Sequence, residues 1–263
     1  MTLAYTSELT FEQYELFESL LSPASKSGRP RSVNRMLVLQ AILYVLVSGC
    51  AWRLLPNEYP PYSTVYYYFR KWRNDGSWKR IHDHLVAWVR VDDHHSSTPT
   101  AASLDSQTVP TGVMVHQAVG YDAGKKIKGR KRFTLVDTLG LLIAVRVVAA
   151  SVPERQGAKQ LLEALHQERH RVPQLVRIWV DGGFSGEDFG HWVLDTFRWI
   201  LEVVLRPKGA QGFVLLPKRW MVERTYGWLH WCRRLNVDYE RLPASSEAFI
   251  HIAMIRLMLR RLA

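Results

Sequence analysis

Apolar residues recur along the 263-residue chain in two rhythms. Up to about residue 92 they keep a helical period, and beyond it short runs of β-branched residues take over. Thr10 and Gln13 have the spacing of a capping box, with Leu9 and Tyr14 placed for a hydrophobic staple, so a helix is expected from there to about residue 21. A basic stretch rich in Pro, Ser and Gly follows. Residues 33–48, closed by Gly49, predict a second, deeply buried helix. With Ser63 as N-cap a third runs to a stop at Gly76, and 78–91 form a fourth. Short helices with tight turns suggest a helix-turn-helix-type module, with Val65, Tyr68, Phe69 and Trp72 in its core. Tyr66, Tyr67, Arg70, Lys71 and Arg73 would then form a face of hydroxyls and cations suited to phosphates or a major groove.

The polar, proline-punctuated stretch 93–102 is expected to part an all-α domain, residues 1–92, from a second domain, residues 103–263. His82, His84, His94 and His95 lie near it and are expected to be surface histidines, since no cysteine is close and adjacent residues cannot point one way. Beyond the boundary, 101–105 read as a short strand ending in an acid, and GYDAGKKIKGRKR as a loop rich in Gly and Lys. FTLVDTLGLLIAVRVVAA reads as a hairpin. Then come a helix at 157–170, a strand at 175–180, a helix at 187–196, a strand at 199–205, a basic loop, RPKGAQG, and a helix over 215–235. This order predicts an α/β domain, a mixed sheet with helices on both faces.

The helix at 215–235 carries one acid among cations. At 100° per residue Arg219, Glu223, Gly227, His230 and Arg234 share a side, opposite a seam of Met221, Thr225, Trp228, Cys232 and Leu235. Taken alone, this fits a solvated amphipathic helix or the carrier of a metal ligand beside a polyanion.

Composition narrows the partner. Hydrophobic residues at 47% exclude a disordered chain, and 35 Lys and Arg against 24 Asp and Glu leave a formal charge of +11, which favours nucleic acid. Arg29 and Arg31 fit an arm in a minor groove or a solvated linker. Cys50 and Cys232 are too far apart for a zinc finger or a disulfide framework. The amino terminus shows no leader pattern and no apolar run spans a bilayer, so the expectation is a cytoplasmic chain that does not engage membranes.

The candidate chemistry lies in carboxylates. Asp105 and Asp181 each end a predicted strand, where neighbouring strands bring side chains into a common cleft, and Gly182 and Gly183 leave room for a substrate backbone. A packed helix bearing Glu223 would add a third acid. Phosphodiester cleavage with two metals calls for such acceptor-only oxygens, holding Mg²⁺ ions about 4 Å apart. Asp122 and Asp137 are rivals for the role, though a flexible loop and a hairpin turn suit them to structural or solvated ones.

DSQTV at Asp105, the GYDAGKKIKGRKR hairpin region, WVDGGFSG at Asp181, LPKRWMVERTYGWL at Glu223, RRLNVDYE and the closing SSEAFIHIAMIRLMLRRLA together resemble the bacterial insertion-sequence transposases of the DDE type, in the insertion sequence five family. The amino-terminal LTFEQYELFESLL, GRPR, AILYVLVSGCAWRLLP and TVYYYFRKWRNDGSWKRI resemble the same family, so the similarity covers nearly the whole chain. It implies an RNase H-like catalytic domain behind a helical DNA-binding domain, with Asp105, Asp181 and Glu223 as the catalytic triad holding two Mg²⁺ or Mn²⁺ ions. The implied activity is cleavage and strand transfer at terminal inverted repeats, with element and target DNA as partners and at least a homodimer on DNA. On that reading Lys125, Lys126, Lys128, Arg130, Lys131 and Arg132 neutralise phosphates, and Arg219 orients a phosphate or Glu223. The wider group carries a Tyr-Arg-Glu-Lys signature, of which this chain keeps Arg219 and Glu223 but has Leu216 and His230 at the other positions, leaving Arg233 and Arg234 to supply the missing cation. Phe133 stands where many relatives show His. A catalytically inactive, domesticated DNA-binding regulator and a general nuclease are the alternatives.

Overall fold

The computed structural model describes residues 5–22, 33–205, 207, 209, 212 and 215–262. Arg29 and Arg31 lie outside these, as do parts of the loop that precedes the Glu223 helix.

Four helices come first. α1 (Phe11–Glu15) opens on the expected capping box, with Thr10 accepting from the Gln13 amide and the Gln13 side chain accepting from the Thr10 amide. It is shorter than expected, because Phe17 leaves the helical conformation and turns its ring into the core. α2 (Arg35–Ser48) is capped by Asn34 and ends on Gly49 at φ 74°, a left-handed conformation that glycine adopts without a Cβ penalty. α3 (Tyr62–Asn74) begins directly after Pro61, whose fixed φ sets the chain for helix entry one residue before the N-cap predicted at Ser63. Gly76, at φ 74°, turns the chain into α4 (Ser77–Asp92). Val65, Tyr68, Phe69 and Trp72 are buried on one side of α3, while Tyr66, Tyr67 and Arg70 are exposed on the other.

Residues 93–100 lead into the sheet. β1 (Ala101–Pro110) is twice the predicted length. The expected Gly- and Lys-rich loop is mostly strand, with β2 (Gly120–Asp122) and β3 (Ile127–Asp137) joined by a turn in which Lys126 takes φ 56°. β4 (Leu142–Ala149) completes the predicted hairpin. There follow α5 (Glu154–Gln167), β5 (Arg177–Val180), α6 (Glu187–Phe197), β6 (Ile200–Val203), α7 (Pro217–His230) and α8 (Pro243–Leu259). The main path of the sheet is β2-β3-β1-β5-β6, with β4 also paired to β3. β3 runs antiparallel to both β1 and β4, whereas β1 pairs with β5, and β5 with β6, in parallel. Leaving out the short β2, the order β4-β3-β1-β5-β6 is that of an RNase H-like fold.

Each face of the sheet has its own core. Leu104, Phe133, Leu135, Ile178 and Val180 pack under α5 and α6 with Leu161, Leu162 and Phe197. On the other side Val136, Leu142 and Val147 join Val222 and Leu229 of α7, Phe249, Ile250 and Met254 of α8, and the apolar sides of α2, α3 and α4. α8 is therefore surrounded by sheet and amino-terminal helices alike, and one apolar cluster runs across residues 93–102. His82 departs from its expected surface position: its ring is fully buried in this junction, 5.0 Å centroid to centroid from His251 of α8, because α4 turns the residue inward beside Ile81 and Leu85. His94 and His95 are exposed.

Candidate active site

Asp105 lies in the middle of β1, not at the end of a strand as its polar successors Ser106, Gln107 and Thr108 suggest. What ends near Asp105 is the pairing with β5, whose last partners are Ser103 and Trp179. Two residues further in each chain stand Asp105 and Asp181, so the parallel register sets the two acids side by side. Asp181 is extended and caps the turn after β5, accepting from the Gly183 amide at 2.9 Å.

α7 lies over the same sheet face. Thr134, opposite Asp105 in β3, donates to the Tyr226 hydroxyl at 2.7 Å, and Gln107 meets His230 Nε2 at 3.1 Å. One turn before Tyr226, Glu223 is exposed at the edge of this contact. Arg219 Nη2 sits 3.6 Å from Asp181 Oδ2 and 3.8 Å from Glu223 Oε1, so one guanidinium spans two of the acids. Burial is the main cause that raises the Asp105 carboxyl to about 6; the Asp181 charge adds to it, against the Ser106 amide, Arg219 and Lys125. The buried face of α7 is centred on Val222, Thr225, Tyr226 and Leu229, with Met221 beside them. Trp228, expected in that seam, is instead partly exposed and stacked between Arg224 and Arg261, each 4.8 Å from its ring centroid. The helix stops at His230, so helical spacing no longer governs Cys232, Arg234 and Leu235.

The cations divide sharply. Lys125, Lys126 and Lys128 are exposed. Arg130, Lys131 and Arg132 are buried, which corrects their assignment to DNA phosphates. Arg130 pairs with Asp238 at 3.2 Å and donates to the carbonyls of Gln117, Glu240 and Arg241. Lys131 is held by Glu154, Asp122 and the Val152 carbonyl, and Arg132 donates to the Leu235 carbonyl. Their strand is covered on both faces, so cations that look like loop residues are enclosed with intramolecular partners. Arg234 is corrected likewise: it is buried against Glu240 at 2.7 Å and donates to the Cys50 carbonyl. It is not free to replace the missing lysine of the signature, while Arg233 is exposed. In the helical segment Arg70 and Lys71 reach solvent, but Arg73 donates to Ser245 Oγ at 2.6 Å. Asp122 and Asp137 have structural partners: Asp122 accepts from Thr108, and Asp137 caps the β3–β4 turn and binds Arg90 of α4.

Residues 96–258 match the family model described as "Transposase DDE domain". The chain belongs to this family. Residues 9–82 match a second model, "Putative transposase of IS4/5 family". The chain is similar to the "Putative transposase for insertion sequence element IS402" of Burkholderia cepacia, at 29% identity over 128 residues, which is 47% of this chain and 60% of that protein. It is 34% identical over 123 residues to the "Insertion element IS402 uncharacterized 16.2 kDa protein" of the same organism, covering 44% of this chain and 76% of the relative. Among solved structures, the piggyBac transposase synaptic complex with hairpin DNA aligns over 97% of this chain and 72% of its own, at 10% identity and a TM-score of 0.44. The Mos1 mariner paired end complex with Mn aligns over 95% and 83%, at 13% identity and a TM-score of 0.32.

DDE transposases use divalent metal ions. The donor chemistry here fits such an ion: the acids offer only oxygens, and the register sets Asp105 and Asp181 side by side. Closure of the site is partial. Among the described residues no three His, Cys, Asp or Glu side chains converge as a ready metal cage, and Arg219 stands between Asp181 and Glu223. Sequence reasoning also passed over Glu154, which sits beside the Asp181 turn. Pro153 before it, a common helix-opening residue, was the available signal.

Proposed function

We propose that this chain is a DNA transposase that binds the terminal inverted repeats of an insertion sequence, cuts the element end and joins the freed 3′-hydroxyl to target DNA. The observation that carries the reading is the register that places Asp105 beside Asp181, with Glu223 reaching the same locus through Arg219. In this proposal Asp105, Asp181 and Glu223 hold divalent ions, Mg²⁺ or Mn²⁺, two per site. Bound there, the ions would supply Lewis-acid activation of the attacking oxygen and charge neutralisation at the leaving one. Asp105 contributes a carboxylate kept from solvent, and Arg219 a guanidinium that can move from acid to phosphate. Arg70 and Lys71 on α3, with Lys125, Lys126 and Lys128 at the β2–β3 turn, contact DNA backbone. Joining two ends calls for at least two copies on DNA.

The test is strand transfer of a mini-element carrying both repeats, with Mn²⁺ or Mg²⁺. Glu223→Gln is expected to lower transfer by roughly 10²–10³-fold, the loss of several kcal/mol of transition-state stabilisation, while repeat binding in a gel-shift assay stays intact. Transfer that survives this change removes Glu223 from the triad. Repeat binding by the wild-type chain without any cleavage would make it a regulator.

A further inference from the structure

Glu154 is the first residue of α5, on the sheet face opposite α7. Its carboxylate is tied on both oxygens. Ser106 Oγ donates to Oε2 at 2.7 Å and Lys131 Nζ to Oε1 at 3.1 Å. Ser106 is also the residue whose amide donates to Asp105 Oδ1 at 2.7 Å, so one residue touches Asp105 through its backbone and Glu154 through its side chain. At the other end Glu154 meets the turn that follows Asp181. A Cβ built on Gly183 would lie 3.7 Å from Glu154 Cγ and 3.1 Å from Asp181 Oδ1. Arg155 extends the contact, since a Cβ on Gly186 would lie 3.1 Å from its guanidinium carbon. Gly186 takes φ 140°, a backbone conformation that L side chains rarely adopt.

We infer that Glu154 is a positioning residue that fixes Asp105 and Asp181 relative to each other, acting through Ser106 on one side and the Gly183 turn on the other; the inference rests on reading those two acids as metal-binding. The physical reason is that register aligns two backbones, while each side chain is held through a neighbouring amide, Ser106 for Asp105 and Gly183 for Asp181, whose own placement needs support. Asp105 and Asp181 repel each other, so without a second contact each would turn toward solvent. Glu154 supplies that contact from below the sheet. Lys131 gives it a countercharge, and Asp122, 3.8 Å from Lys131, helps hold the lysine. The buried lysine of β3 thus serves the site indirectly, as part of the support of its acids. Partners that orient metal ligands from behind commonly change metal affinity by roughly 10–100-fold when removed.

The test compares the 263-residue wild type with E154A, E154Q and S106A. Mn²⁺ affinity is read by electron paramagnetic resonance titration, and amide hydrogen exchange at Ser106 and Gly183 by mass spectrometry. E154A is expected to weaken Mn²⁺ binding about tenfold and to speed exchange at Ser106 and Gly183 selectively, with repeat-DNA affinity unchanged and only a modest drop in Tm, because Asp122 remains beside Lys131. E154Q keeps the acceptor for Ser106 and should restore most of the loss. S106A added to E154A should cost little more than E154A alone, because both break one linkage. Wild-type Mn²⁺ affinity and wild-type exchange in E154A would overturn the inference, as would faster exchange throughout the sheet with a large drop in Tm. A wild type that binds Mn²⁺ yet cuts no DNA would end the proposed reaction while Mn²⁺ affinity still decides the role of Glu154. A wild type that binds no Mn²⁺ would end the metal reading, and the two amides would decide it.

Discussion

The run from Lys125 to Arg132 has six cations in eight residues, and the fold gives its two halves opposite surroundings. Lys125 and Lys126 of the turn and Lys128 at the start of β3 project into solvent, whereas Arg130, Lys131 and Arg132 lie further along the strand, where it is roofed on both faces. The first half can exchange counterions for phosphates. The second cannot reach a phosphate without abandoning buried carbonyls and carboxylates. Clustered positive charge therefore reports two different things within one short run of sequence: a solvent-exposed cationic patch, and the internal ties between β3, the 233–241 segment and the start of α8.

The division is most exposed to Arg130→Ala. Removing this guanidinium leaves Asp238 buried without its countercharge, with an expected loss of roughly 3–5 kcal/mol in urea unfolding. An Arg130→Ala chain of unchanged stability but weaker DNA binding would reverse the assignment. Per pH unit, a smaller effect on stability is expected from acid. Burial, with the His82 ring beside it, lowers His251 to about 3, so the folded chain keeps this ring neutral where the unfolded chain takes a proton near 6.5. Between about pH 6.5 and 3 the unfolded state binds the extra proton. Stability should then fall as pH is lowered through this window, by at most roughly 1.4 kcal/mol per unit. His251→Gln should flatten that part of the profile, and an unaltered slope would place its origin elsewhere. The least effect on stability belongs to Lys125, Lys126 and Lys128. Changing all three to Ala should alter unfolding by no more than about 0.5 kcal/mol. DNA affinity should nevertheless drop, and the slope of log affinity against log salt should shrink by about one for each phosphate no longer neutralised.

The same contrast explains what could be read from sequence. Elements with one apolar face and a marked end were legible: α2 with Gly49, α3 with its core of Val65, Tyr68, Phe69 and Trp72, and the β3–β4 hairpin. β1 was cut short because Ser106, Gln107 and Thr108 are polar, although Ser106 and Thr108 are buried against Glu154 and Asp122. α8 left no periodic signal, since a helix enclosed on every side is apolar all round. In the site, the acids stood out through motifs of the family. Their supports did not, because Glu154, Ser106 and Lys131 are ordinary polar residues until the fold brings residues 48 positions apart within hydrogen-bond reach. The seam of α7 was displaced toward Val222 and Tyr226 because helical spacing was extended past the point where the helix ends.

The single apolar cluster that joins α2, α3 and α4 to α8 and the sheet bears on how far along a duplex this chain would cut. A reading helix on a loose tether would let the cut wander by several base pairs. Here α3 and the sheet that carries Asp105 and Asp181 share one apolar cluster, so under the proposed function the span between contacted bases and broken phosphate would be a built-in ruler. Its length would be set by the side chains around α8, such as Phe249 stacked on Phe69 with ring centroids 4.7 Å apart.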